Sequence, residues 1–155
     1  MRLDHAWIAA HIPHQGLMCL LEEVLAHSPE EIVCRASSHR SKLNPLRCAG
    51  RLHALCAIEY AAQAAAVYGA LYDAPAASAA AFGMLASVRD VALELTRLDE
   101  LGEDLIISVR NGGADTNIRM FEFTVSCGSR LLVSGRGSIV LRRSSTHTGR
   151  SGAVS

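Results

Sequence analysis

The chain has 155 residues, half of them apolar and 19% charged, which fits one domain with a substantial core and excludes a disordered chain. Fifteen Lys and Arg offset fifteen Asp and Glu, so no basic excess exists to track a phosphate backbone, and nucleic acid is not an expected partner. The five cysteines (Cys19, Cys34, Cys48, Cys56, Cys127) are scattered and form no CxxC pair, which speaks against a disulfide framework or a structural zinc site. No run approaches the roughly 20 uninterrupted apolar residues of a membrane span, and the start lacks a secretory pattern. The expectation is a cytoplasmic protein with no membrane segment, no metal and no cofactor.

In chain order, Ala6 to His11 reads as a short opening helix stopped by Pro13. Leu17 to Leu25 and Ile32 to Ala36 read as two strands of a hairpin, with Ser28-Pro29-Glu30 at its turn. Ser41 to Arg51 holds Asn44-Pro45 and Gly50 and reads as a loop. The clearest element follows, a helix from Leu52 to about Leu71, small or apolar on nearly every face. Such a helix is buried, and its many alanines imply close approach by surrounding backbone; enclosure by a sheet satisfies both. Glu59 and Gln63 interrupt it on one side.

Asp73-Ala74-Pro75 ends the helix, and a loose alanine-rich connection containing Ser78 leads to four strands. These are expected at Gly83–Leu95, Leu105–Arg110, Ile118–Ser126 and Leu131–Leu141, with turns at Asn111-Gly112-Gly113 and Cys127-Gly128-Ser129. In the third, the Arg119, Phe121, Phe123, Val125 set fits the core face better than its alternate. Short turns make the strands antiparallel neighbours, so the class is α+β and a Rossmann alternation is excluded. Residues 1–143 are expected to form the domain and 144–155 a disordered Gly/Ser-rich tail. Unpaired sheet edges call for a second subunit, so a dimer is expected.

Two windows carry a family resemblance. Ile12-Pro13-His14-Gln15-Gly16-Leu17-Met18-Cys19-Leu20-Leu21-Glu22-Glu23-Val24-Leu25 and Ile58-Glu59-Tyr60-Ala61-Ala62-Gln63-Ala64 resemble the opening motif and the central-helix motif of the FabA/FabZ-type 3-hydroxyacyl-ACP dehydratases. The stretch from Gly50-Arg51-Leu52 to Gln63 is similar to that of the dehydratase-like subunits of aryl polyene pathways. The resemblance implies a hotdog fold, in which a curved antiparallel sheet wraps a long helix. It also implies an acyl thioester substrate on an acyl carrier protein, and a homodimer or a heterodimer with another hotdog subunit. The family's "G-H-F-P-G" stretch, which supplies its catalytic histidine, is replaced here by Asn44-Pro45-Leu46-Arg47-Cys48-Ala49-Gly50-Arg51, without a histidine.

Dehydration of a 3-hydroxyacyl thioester needs a base for the α-proton and an acid for the departing hydroxyl. The resemblance points to Glu59 as the carboxylate, and burial is expected to raise its pKa. The plainer alternative is a carboxylate that complements the helix start or pairs with Arg51. Gln63, one turn on, shares its face and either binds Glu59 or substrate, or bonds a neighbouring loop. His39, at the end of the second strand, is the leading candidate base; His53 reads as a cap or solvent-facing residue, and His14 as structural at the chain entry. Arg47 and Arg51 are candidates for contacting the acidic carrier or its phosphopantetheine phosphate. Three functions are open: an active dehydratase, a non-catalytic partner of one, and an acyl thioesterase.

Overall fold

The computed structural model describes residues 1–73, 82–115 and 117–142. The expected tail at 144–155 and the alanine-rich connection lie outside the described residues.

Helix α1 spans His5–His11 and starts where the Asp4 carboxylate accepts the Trp7 N–H at 3.1 Å. Strands β1 (Glu23–His27) and β2 (Glu31–Ala36) form the expected hairpin. The first strand is shorter than its apolar run predicts. Cys19, Leu20 and Leu21 are buried in the core, yet they lie outside the sheet. Several backbone groups here are taken instead by side chains: Gln63 bonds Met18 O and Leu20 N, Ser38 Oγ bonds Leu20 O, and His5 Nδ1 bonds Leu21 O.

Helix α2 runs Ala57–Tyr72, led in by a 3-10 turn at Ala54–Cys56. Its entry is set by His53 Nδ1, which accepts Leu55 N–H at 3.0 Å, and by Asp99, which accepts Leu52 N–H at 2.9 Å. By length and composition alone Ala54–Tyr72 would cross a bilayer, but half of its most apolar window is buried within the protein. Ala57, Ala61, Ala64 and Ala65 pack inward, and α2 lies on β2, β4 and β5. Two tyrosines pin the helix to its surroundings. Tyr60 Oη meets Ser38 Oγ at 2.7 Å and Asn44 Nδ2 at 3.1 Å, while Tyr68 Oη donates to Pro29 O at 2.6 Å. Enclosure is incomplete: Ile58, Ala62 and Ala66 form a half-exposed stripe at four-residue spacing.

Strands β3 (Phe82–Leu93), β4 (Leu105–Ala114), β5 (Ile118–Cys127) and β6 (Arg130–Arg142) complete one antiparallel sheet of order β1-β2-β4-β5-β6-β3. This is the α+β hotdog architecture, a six-stranded sheet packed on a central helix. Phe121, Phe123 and Val125 of β5 face the core as their alternation predicts. Arg119 shares that face; its charge is met by Asp73 just past α2, and its guanidinium lies 5.0 Å from the Tyr68 ring centre. The rings of Phe121 and Phe123 lie over Gly137 and Gly135 of β6, so a Cβ at Gly135 would sit 2.9 Å from Phe123 Cζ and one at Gly137 would overlap Phe121. Glycine there lets large rings fill the sheet's inner curve.

The expected turn at Asn111-Gly112-Gly113 is a bulge instead. The β4–β5 register shifts between Asn111 and Ala114, and the chain reverses between Asp115 and Ile118, where Asp115 N–H bonds Ile118 O at 2.9 Å. The glycines serve the bulge: Gly113 has φ +101°, and a Cβ on Gly112 would crowd the Met120 carbonyl oxygen at 3.1 Å.

Because Ala65 is 2% exposed while Ala70 faces solvent, Ala65→Leu is expected to lower stability by about 1–3 kcal/mol through overpacking, and Ala70→Leu to leave it nearly unchanged. Urea unfolding of the two variants against the parent checks this.

Candidate functional site

Glu59 lies in the first turn of α2 and Gln63 one turn later, so both side chains leave the same helix face. Gln63 is fully buried, and its amide has a single workable orientation. Its Oε1 must accept the Leu20 N–H at 2.9 Å, which leaves Nε2 to donate to Met18 O at 2.7 Å and to Glu59 Oε1 at 3.2 Å. Segment 18–20 is thereby stapled to α2, and the chain just before it delivers His14 to Glu59.

His14 Nε2 stands 3.0 Å from the same Glu59 Oε1, with 25% of the His14 side chain and 31% of the Glu59 side chain exposed. His14 Nδ1 is buried without a hydrogen-bond partner. Against a carboxylate oxygen at that distance Nε2 carries a proton and donates it to Glu59. Both donors therefore converge on Oε1, and Oε2 has no hydrogen bond among the described residues.

The charge state of Glu59 is the reverse of the expectation from burial. The His14 hydrogen bond, opposed by burial and supported by the Gln63 amide, holds the carboxyl below its ordinary value of 4.5. Glu59 is ionised at neutral pH, suited to accept a hydrogen bond or a proton and unsuited to donate one.

His39 does not meet Glu59. Its ring is fully buried against the backbone of Leu101 and Glu103, both ring nitrogens lack a hydrogen bond of good geometry, and burial pushes its pKa down. Arg47 is also committed elsewhere. Its guanidinium bonds the carbonyls of Ser41, Gly50 and His39 at 2.8, 2.9 and 3.1 Å, stitching the loop closed. Arg51 is exposed and is not a partner of Glu59, whose bonds go to His14 and Gln63. His53 caps the helix entry, as one of its readings held.

For His14 the sequence favours a structural role at the chain entry over catalysis, and the structure places it on Glu59. A signal was present: the two windows carrying the family resemblance are the two that touch here, and a motif pair that meets in space brings its polar residues together. Two concavities lie elsewhere. One of about 240 Å³ is lined by His5, Cys19, Ser38 and Asn44, and one of about 480 Å³ by Arg110, Glu122, Thr124 and Arg136 on exposed strand positions; neither is lined by Glu59. Among the described residues no group of three His, Cys, Asp or Glu side chains is placed to hold a metal ion.

The ApeP-like family, described as ApeP dehydratase, matches residues 6–147. The chain belongs to the ApeP-like dehydratase family. Among solved structures this ApeP-like chain is similar to the dehydratase heterocomplex ApeI:P from Xenorhabdus doucetiae, with 27% identity and a TM-score of 0.77 over 88% of this chain and 91% of that one. It shares its fold with zebrafish thioesterase superfamily member 2, at 16% identity and TM-score 0.60 over 89% of this chain and 95% of that one. A variant thioesterase from Pseudomonas aeruginosa shares it too, at 12% identity and TM-score 0.62 over 89% and 93% of the respective chains. No curated protein matches.

Two expectations follow from this ApeP-like site. Gln63→Leu leaves the buried Leu20 N–H and Met18 C=O unpaired and is expected to cost about 2–4 kcal/mol, read by urea unfolding. Glu59 contributes stability that is present above its unfolded pKa and lost as pH falls through its depressed folded value. Melting temperature should therefore drop less steeply in Glu59→Gln than in the parent as pH falls below about 4.5.

Proposed function

We propose that the chain is the carboxylate-bearing subunit of a two-subunit hotdog dehydratase, acting on 3-hydroxyacyl thioesters held by an acyl carrier protein in aryl polyene type biosynthesis. The observation that carries this reading is Glu59, ionised, half-exposed on the central helix, with Oε1 clamped by two donors and Oε2 free.

Elimination of water moves one proton off the α-carbon and one onto the departing 3-hydroxyl. A single imidazole can take the first and return it to the hydroxyl, leaving the enoyl thioester and water. Glu59 Oε2 then accepts a hydrogen bond from the 3-hydroxyl and orients it. This chain's neighbouring imidazole is unsuited to the proton transfer, because His14 Nε2 is engaged by Glu59 and Nδ1 is buried. The reading assigns the imidazole to a second hotdog subunit, and the similarity to a chain of the ApeI:P heterocomplex supports that assignment. The edge position of β3, with Met84 and Leu93 exposed along it, supports pairing through that strand. Arg51, exposed and without an ion pair among the described residues, is the candidate contact for the carrier's phosphate.

Hydration of crotonyl-pantetheine by the chain, by a His-bearing hotdog subunit from the same source, and by their mixture tests the reading. We expect little rate from this chain alone, a large gain in the mixture, and a loss of about 10²-fold or more when the mixture carries Glu59→Gln. A mixture as fast with Glu59→Gln as with the parent overturns the carboxylate role and leaves a non-catalytic partner.

A further inference from the structure

The Glu59 carboxylate could rotate freely about its last bond, presenting either oxygen, if nothing held it. Two donors hold it. Gln63 Nε2 cannot turn away, because its amide is fixed at both ends by Leu20 N–H and Met18 C=O. His14 Nε2 supplies the second donor, 3.0 Å from the same oxygen. The ring arrives from another part of the chain, between α1 and the segment that Gln63 staples. Nδ1 is buried with no hydrogen-bond partner and Nε2 is engaged by Glu59, so neither ring nitrogen is open to act on a substrate.

We propose that His14 is a positioning residue: its Nε2–H and the Gln63 amide together fix Glu59 Oε1, so that Oε2 alone is presented to the substrate. The inference rests on the carboxylate role proposed above for Glu59. The titratable groups facing Glu59 are His14 and, one turn back on the helix lead-in, the Cys56 thiol, which burial pushes up and which is neutral. Loss of the His14 bond removes the largest influence that keeps the carboxyl low, so the Glu59 titration moves to higher pH without it.

Three variants separate positioning from mere packing. His14→Ala removes the donor, His14→Asn puts an amide near the Nδ1 position, short of Glu59, and His14→Gln puts one near the Nε2 position. We expect carbon-13 NMR of the Glu59 carboxyl to show the titration raised in Ala and Asn and returned toward the parent in Gln. In the mixture with the His-bearing subunit, kcat for crotonyl-pantetheine hydration should fall roughly tenfold or more in Ala and Asn, with KM little changed, and recover in Gln. The Asn variant keeps a polar side chain of similar bulk, so the comparison survives if Ala folds poorly. An unmoved Glu59 titration in Ala and Asn, or a Gln variant as slow as Asn, overturns the inference. The NMR readout needs no turnover, so it stands or falls separately from the carboxylate role, which Glu59→Gln tests.

Discussion

Backbone that crosses a protein core outside the sheet must find partners for its N–H and C=O groups, and between Met18 and Leu21 four of those groups are taken by side chains. Gln63 takes two of the groups, Ser38 a third and His5 a fourth. Each unpaired group would cost about 1–3 kcal/mol in a buried setting. The segment can therefore be buried only where these side chains stand, and its position fixes what flanks it. Upstream it places His14 on Glu59; downstream it leads into β1 and the hairpin that packs on the far end of α2 through Tyr68 and Tyr72.

The electrostatics of the site follow from the same arrangement. A half-buried carboxylate left alone would be pushed toward its neutral form. Two hydrogen bonds to one oxygen reverse that tendency and leave the other oxygen available. The helix start adds little geometry of its own, since its lead-in turn is committed to His53 and Asp99. Local charge and orientation at Glu59 are thus properties of contacts between distant stretches of chain.

That separation explains what the sequence made legible. Strand periodicity placed Phe121, Phe123 and Val125 inside, because alternation is a local signal that burial on one sheet face enforces. The alanine-rich helix was legible for the same reason, and with it Glu59 and Gln63. Contacts were harder to read. His39 looked available at a strand end, but the loop before β4 covers it completely. Asn111-Gly112-Gly113 carries turn chemistry, yet the close approach of the Met120 backbone uses those glycines for a bulge. The apolar run from Leu17 promised a strand, and only the amide of Gln63, far along the chain, shows why it begins later.

The separation along the chain between Gln63 and its partners also orders events in time. Leu20 and Met18 leave the ribosome before the amide that completes them, which follows 43 and 45 residues later. Until α2 emerges, the apolar stretch at Cys19 to Leu21 lacks the Gln63 amide and the helix beside it, with only His5 and Ser38 available as side-chain partners. Nascent chains interrupted before residue 63 would hold a sticky N-terminal segment that chaperones recognise, and closure of this long loop is a non-local step of the kind that slows folding. The opening motif is thus synthesised well before the residue that completes its hydrogen bonds.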